Sequence, residues 1–187
     1  MNKTLEKPFI LLHVCCAPDA TAVFERLREK YTVIGFFHNP NIHPEEEYRK
    51  RLKDAVYVAE TMNFPLEIPA YNPQEWLDAV KGLEQEPERG KRCRICFRFN
   101  LLATAKKAHE RRIPYFTTTL TISPHKNTAD IFEAGKEAAA EFGSEFVAVD
   151  FKKKDGFKRS LILSREMNLY RQNYCGCCFS LLGQKNA

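Results

Sequence analysis

The sequence predicts an α/β protein, a Rossmann-like three-layer sandwich on a parallel five-stranded sheet. Three observations carry that expectation. Short apolar or β-branched runs alternate with helical patterns along the chain, and such alternation gives parallel strands joined by right-handed crossovers. Several runs are continuously apolar, as strands covered on both faces are. Polar, chemistry-bearing residues follow three of the runs directly, at the carboxyl ends of strands where such sheets gather their ligands.

Strands are expected at 9–14, 32–38, 65–69, 115–120 and 145–150. Between them, 19–30 sets Ala20, Val23, Phe24 and Leu27 at helical spacing. The stretch 44–62 opens with Pro44 and three glutamates, a favourable first turn. A short helix over 73–83 puts Trp76 and Leu77 on its apolar side. Helical patterns also cover 96–112, 128–142 (stopped by Gly143) and 160–168. The segment 71–99 reads as an insertion into one domain spanning 1–187, and 170–180 as a cysteine-rich C-terminal segment.

Composition excludes several classes. No apolar run approaches the roughly 18 residues of a membrane helix, and residues 1–8 lack the apolar centre of a signal peptide. A cytoplasmic protein with no membrane partner is expected, so its thiols stay reduced. The net charge of +5 is modest, but Arg89, Lys91, Arg92, Arg94 and Arg98 bunch in one place and Lys152–Lys154, Lys158 and Arg159 in another. Such bunches can meet phosphates, or form a solvated face with glutamate partners.

All 7 cysteines fall in three groups: Cys15–Cys16, Cys93-x-x-Cys96 and Cys175-x-Cys177–Cys178. Isolated core cysteines would be scattered. A vicinal pair bridges itself poorly, and a CxxC at a helix start, beside Arg92 and Arg94, favours thiolates. A thioredoxin-like pair leaves five cysteines unexplained. A structural zinc site usually shows two separated CxxC pairs, whereas an iron–sulfur cluster accepts irregular spacing. The loop after the first strand, residues 15–21, has no glycine and carries Pro18, which argues against an ATP phosphate loop.

Several strings then align with one family: Leu12-His-Val-Cys-Cys-Ala-Pro18, Phe37-His-Asn-Pro-Asn-Ile-His-Pro44 with Tyr48 and Arg51, Glu86-Pro-Glu-Arg-Gly-Lys-Arg-Cys93, Phe116-Thr-Thr-Thr-Leu120 with Ser123, and Tyr170-Arg-Gln-Asn-Tyr-Cys-Gly-Cys177. Together they resemble epoxyqueuosine reductases of the QueH type, the cobalamin-independent kind, over nearly the whole chain. The resemblance implies reductive deoxygenation of epoxyqueuosine to queuosine in a tRNA anticodon loop, a nucleotide-hydrolase-like fold, a [4Fe–4S] cluster and a separate metal ion beside it, iron by expectation. The electron donor stays unidentified.

Within that reading Cys15, Cys16, Cys93, Cys96, Cys175 and Cys177, with Asp19, divide between the two centres. The partition stays open. The side chains of Cys15 and Cys16, pointing in different directions, are expected to be able to serve different centres. Asp19 is an oxygen ligand or the N-cap of the next helix, and Cys178 a buried small apolar residue or a substitute thiolate ligand. His13, Cys16 and Asp19 are the catalytic candidates, His13 as proton donor or supporting partner. Asn39, Asn41, His43, Tyr48, Ser123, Asn127 and Arg171 are candidates for substrate binding, each with an ordinary role in a turn, cap, helix face or ion pair as its alternative. Tyr71, Trp76 and Tyr170 are candidates to stack on a splayed base, with Trp76 leaning to the core.

Overall fold

The computed structural model describes residues 6–185. Its sheet is five-stranded and wholly parallel, in the order β3-β2-β1-β4-β5. The central strand β1 (Phe9–His13) is flanked by β2 (Thr32–Phe36) and β4 (Tyr115–Thr118), with β3 (Leu66–Glu67) and β5 (Glu145–Phe146) at the edges. Ile10, Leu11 and Leu12 are entirely buried because both faces of β1 are covered. Ile10, Leu12 and Val14 join a core built with α1 (Ala17–Leu27), α2 (Glu45–Met62) and α6 (Gly156–Glu166). Leu11 points to the opposite core, built with α4 (Lys91–Glu110) and α5 (Thr128–Phe142). The period of two along the strand thus sorts its side chains between the two layers.

The predicted elements are present, with different lengths. Both edge strands are two residues long where five or six were expected, since each has only one neighbour to pair with. β4 stops at Thr118, and Thr119–Ile122 winds into a 3-10 turn whose first amide, from Leu120, is capped by the Thr118 hydroxyl. α4 begins at Lys91 rather than 96, so it carries both cysteines of the CxxC motif. α6 begins earlier than expected, at Gly156. The sequence reading missed a terminal helix, α7 (Cys178–Lys185), and shortens to Pro73–Ala79 for α3. Asn127 caps α5 through its side chain, and Gly143 ends it in the left-handed conformation. Among the described residues no helix is long and apolar enough to cross a membrane.

Candidate metal centre

The first thiol group forms where β1 hands over to α1. Past Val14 the pleat lapses. Cys16 takes an extended conformation (φ −162°, ψ 160°) as the residue before α1, and Asp19 falls in the helix's first turn. The thiols therefore converge instead of diverging as the strand pattern suggested. Cys15 Sγ lies 4.0 Å from Cys16 Sγ and 3.6 Å from Asp19 Oδ2. One ligand atom from each of the three residues lies within 4.8 Å of the others. Thr119 pins Cys15 twice, accepting from its amide at 3.0 Å and donating to its sulfur at 3.1 Å. Hydrogen bonding between the thiols pushes Cys15 down and Cys16 well up, so the pair favours one thiolate. Burial pushes Asp19 up, against the pull of Lys126.

The second group joins α4 to the C-terminal segment. Cys93 and Cys96 lie one turn apart on α4. Cys175 and Cys177 join them around a single cavity that Trp76, Arg89 and Lys126 also line. Both approaches are held by buried arginines. Arg92 is 2% exposed and donates to the carbonyls of Leu83, Glu84 and Glu86, shaping the loop before α4. Arg51 is 3% exposed; it pairs with Glu47 at 2.7 Å and donates to the carbonyls of Tyr174 and Cys175. Gly176 sits at φ +120°, and a Cβ there would come within 2.9 Å of Arg51 Nη1, so glycine is required for both conformation and space. Burial pushes Cys93 up, Cys96 well up and Cys177 up to about 11. Cys178 is absent from the cavity lining and packs with Trp76 and Phe179.

Lys126 lies between the two groups and lines every cavity around them. Burial alone would lower its pKa; the negative charges of Cys175, Cys15, Asp19 and Cys16 together raise it. Beside it opens a cleft of about 390 Å³ lined by Asp19, Ser123, Arg171, Gln172, Tyr174 and Cys175, among others. Sequence reading missed Lys126, Thr119, Gln172 and Asn100. The signal for Lys126 was its place between Ser123 and Asn127, in the loop after the fourth strand.

The other expected residues fall as follows. His13 Nε2 meets the His38 carbonyl at 3.1 Å, so it carries the ring proton, and Nδ1 accepts from Thr118 at 2.9 Å. Burial drives its pKa to about 3. With both nitrogens engaged it supports the strand end, and the proton-donor role is withdrawn. Asn39 donates to the Val14 carbonyl. Asn41 accepts from Asn100 deep between the thiol groups. His43 bonds its own loop and the Gly176 carbonyl. Tyr48 is a core residue stacked on Tyr71 at 4.1 Å, away from the cleft. Ser123 and Arg171 line the cleft, Arg171 also donating to Ser164. Asn127 caps α5 and lines the cavity of the second group. None of Tyr71, Trp76 and Tyr170 lines the cleft, whereas Tyr174 does. Of the basic bunches, Arg92 is buried, and Arg94, Arg98 and Arg159 pair with acids; Lys153, Lys154 and Lys158 stay exposed.

The donor sets fit two different groups. Two thiols and a carboxyl within one ion's reach suit a single borderline-soft metal such as iron. Four thiols around one cavity suit an iron–sulfur cluster, which spaces its ligands wider than a lone ion does. Trp76 adds an independent observation. Its Nε1–H is buried at this cavity and finds no hydrogen-bond partner among the described residues; a cluster sulfur would supply one.

A family model described as epoxyqueuosine reductase QueH matches residues 10–182. Relatives bearing that name include one from Streptococcus pyogenes serotype M1, 41% identical over 96% of this chain and 72% of its own length. Another, from Thermotoga maritima, is 38% identical over 94% of this chain and 92% of its own. Among solved structures the chain resembles the U34-tRNA thiolase NcsA from Methanococcus maripaludis with its [4Fe–4S] cluster, at TM-score 0.58 and 14% identity, covering 94% of this chain and 62% of that one. A predicted tRNA methyltransferase subunit from Methanocaldococcus jannaschii matches at TM-score 0.52 and 13% identity, over 84% of this chain and 76% of that one. At such identities the structural likeness speaks for the fold.

Proposed function

We propose a function on one premise: the chain belongs to the epoxyqueuosine reductase QueH family. It is an oxidoreductase that reduces epoxyqueuosine to queuosine in the anticodon loop of tRNA, the last step of queuosine synthesis. Two electrons and two protons enter, both bonds to the epoxide oxygen break, a carbon–carbon double bond forms, and the oxygen leaves as water. The observation that carries this reading is the gathering of six cysteines and Asp19 around one buried lysine at the carboxyl edge of a parallel sheet.

In this reading Cys93, Cys96, Cys175 and Cys177 hold a [4Fe–4S] cluster, while Cys15, Cys16 and Asp19 hold a single iron ion. When bound, the cluster supplies electrons singly and the ion supplies a Lewis acid for the epoxide oxygen. The chain's own residues do the rest. Thr119 holds Cys15 in place. Lys126 balances the negative charge of both thiol groups from between them. The modified base enters the cleft beside Asp19 and Cys175, where Ser123 and Arg171 offer hydrogen bonds and Tyr174 an aromatic ring. Lys153, Lys154 and Lys158 are exposed and close in sequence to Phe157, which lines the cleft, and in this reading they would meet the tRNA backbone. The protein works in the cytoplasm with an electron donor still to be identified. Nucleotide chemistry is disfavoured, because Pro18 and Asp19 occupy the first turn of α1 where a phosphate would bind.

The test is incubation of anaerobically purified protein with epoxyqueuosine-containing tRNA and a strong chemical reductant. Queuosine in the nucleoside digest is expected. Intact substrate, with a fully loaded protein, would refute the activity.

A further inference from the structure

One uncommitted buried N–H lies beside a cysteine of the second thiol group. Trp76 is fully buried, and its Nε1–H is unpartnered at the cavity that Cys96 lines. Asn100, one turn after Cys96 on α4, places Nδ2 3.7 Å from Cys96 Sγ. Its two N–H bonds go to the carbonyl of Cys96 and to Oδ1 of Asn41, and its Oδ1 lies 3.2 Å from His38 Nδ1, so it fixes the turn that carries Cys96 and leaves the sulfur to another donor. The Trp76 indole lies on the Cys96 side of the cavity and favours the Cys96 thiolate, against the larger rise from burial, without completing a hydrogen bond to it.

We propose that Trp76 is a positioning residue that sets the reduction potential of the cluster by donating its indole N–H to sulfur at the Cys96 corner. The inference rests on the assignment of Cys96 as a cluster ligand. Its physical basis is charge. Reducing the cluster adds negative charge that spreads over the sulfurs, so donors aimed at sulfur stabilise the reduced state and raise the potential. Burial works the other way, since a dry site penalises added charge. A donor on the side of the cavity where Leu77, Ile95, Phe99 and Phe179 pack offsets part of that penalty. Trp76 suits the task because its indole carries a donor and no competing acceptor. The other unpartnered buried nitrogens among the described residues are Arg92 Nε, whose side chain lines the same cavity, and His43 Nε2, whose ring centroid lies 5.6 Å from that of Trp76. Its Nδ1 faces the Asn41 carbonyl, so the proton sits on Nδ1 and Nε2 is an acceptor; His43 competes for the indole proton and does not donate to sulfur.

The chain has a single tryptophan, so wild-type protein grown on tryptophan labelled with ¹⁵N in the indole ring carries the label at Trp76 alone. Pulsed EPR of the reduced cluster should show coupling to that nitrogen. Trp76→Phe should lose the coupling and shift the midpoint potential to more negative values at unchanged iron and sulfide content. A loaded cluster without ¹⁵N coupling, as expected if His43 takes the indole proton, overturns the inference and leaves the cluster assignment standing. An unchanged potential in a loaded Trp76→Phe protein also overturns it. Wild-type protein without sulfide overturns the cluster assignment and the inference together. If Trp76→Phe does not fold, the labelled wild type decides.

Discussion

Arg51 is where fold stability and metal binding meet, and replacing it with methionine tests its role as an internal strut. The guanidinium is 3% exposed and makes a 2.7 Å pair with Glu47, whose side chain is 12% exposed. It also donates to the carbonyls of Cys175 at 3.1 Å and Tyr174 at 3.3 Å. Methionine keeps most of the packing volume but leaves the Glu47 carboxylate with the Tyr170 hydroxyl at 3.2 Å and no cation, and removing one partner of a buried pair costs about 3–5 kcal/mol. The two carbonyls can regain water if the segment opens, so the loss stays near about 4 kcal/mol, close to a thousandfold in the opening equilibrium. The segment that opens carries Cys175 and Cys177. Arg51→Met should therefore lose sulfide and iron on anaerobic purification and show faster hydrogen exchange at residues 174–177. Adding Glu47→Gln should restore part of the unfolding free energy, because the stranded charge is gone. Full sulfide content in Arg51→Met, with unfolding free energy within about 1 kcal/mol of wild type, would refute the strut.

The remaining predictions are more local. His13 is neutral in the fold, with a pKa near 3 against 6.5 ordinarily. The unfolded chain takes up its proton below about pH 6.5 and the folded one only near 3, so stability falls with falling pH through that window. Denaturant titration should find the wild type losing about 2 kcal/mol more than His13→Gln between pH 6.5 and 5; parallel pH profiles would contradict the buried neutral ring. Asp19→Ala should lower the iron-to-sulfide ratio while leaving sulfide unchanged, and a fall in both together would place Asp19 on the cluster instead. Cys178→Ser should retain sulfide that Cys175→Ser loses, and equal losses would return Cys178 to the ligand set.

What sequence could reveal follows from the range of the interactions involved. β1 was legible because three successive residues, Ile10 to Leu12, are buried on both faces. α5 was legible because its ends are coded locally by Asn127 and Gly143. Edge-strand lengths were not, since they depend on how far a neighbour extends. The clustering of cysteines announced a metal site, but their partition hinges on how the chain turns after Val14, where strand periodicity no longer predicts side-chain direction. Arg92 looked like a phosphate ligand in a basic string, yet it is the internal strut of its own loop, through three carbonyls six to nine residues earlier. Lys126 gave no periodic or motif signal of its own. Its importance comes from charges brought together from β1, α1 and the C-terminal segment.

Two metal centres of different kind should be present on one chain, and elemental analysis with Mössbauer spectroscopy of protein purified without oxygen decides it. About four sulfides and about five irons per chain, with one iron spectroscopically distinct from the cluster, is the predicted result. A colourless protein carrying stoichiometric zinc and no sulfide, after cluster reconstitution has been attempted, would contradict it.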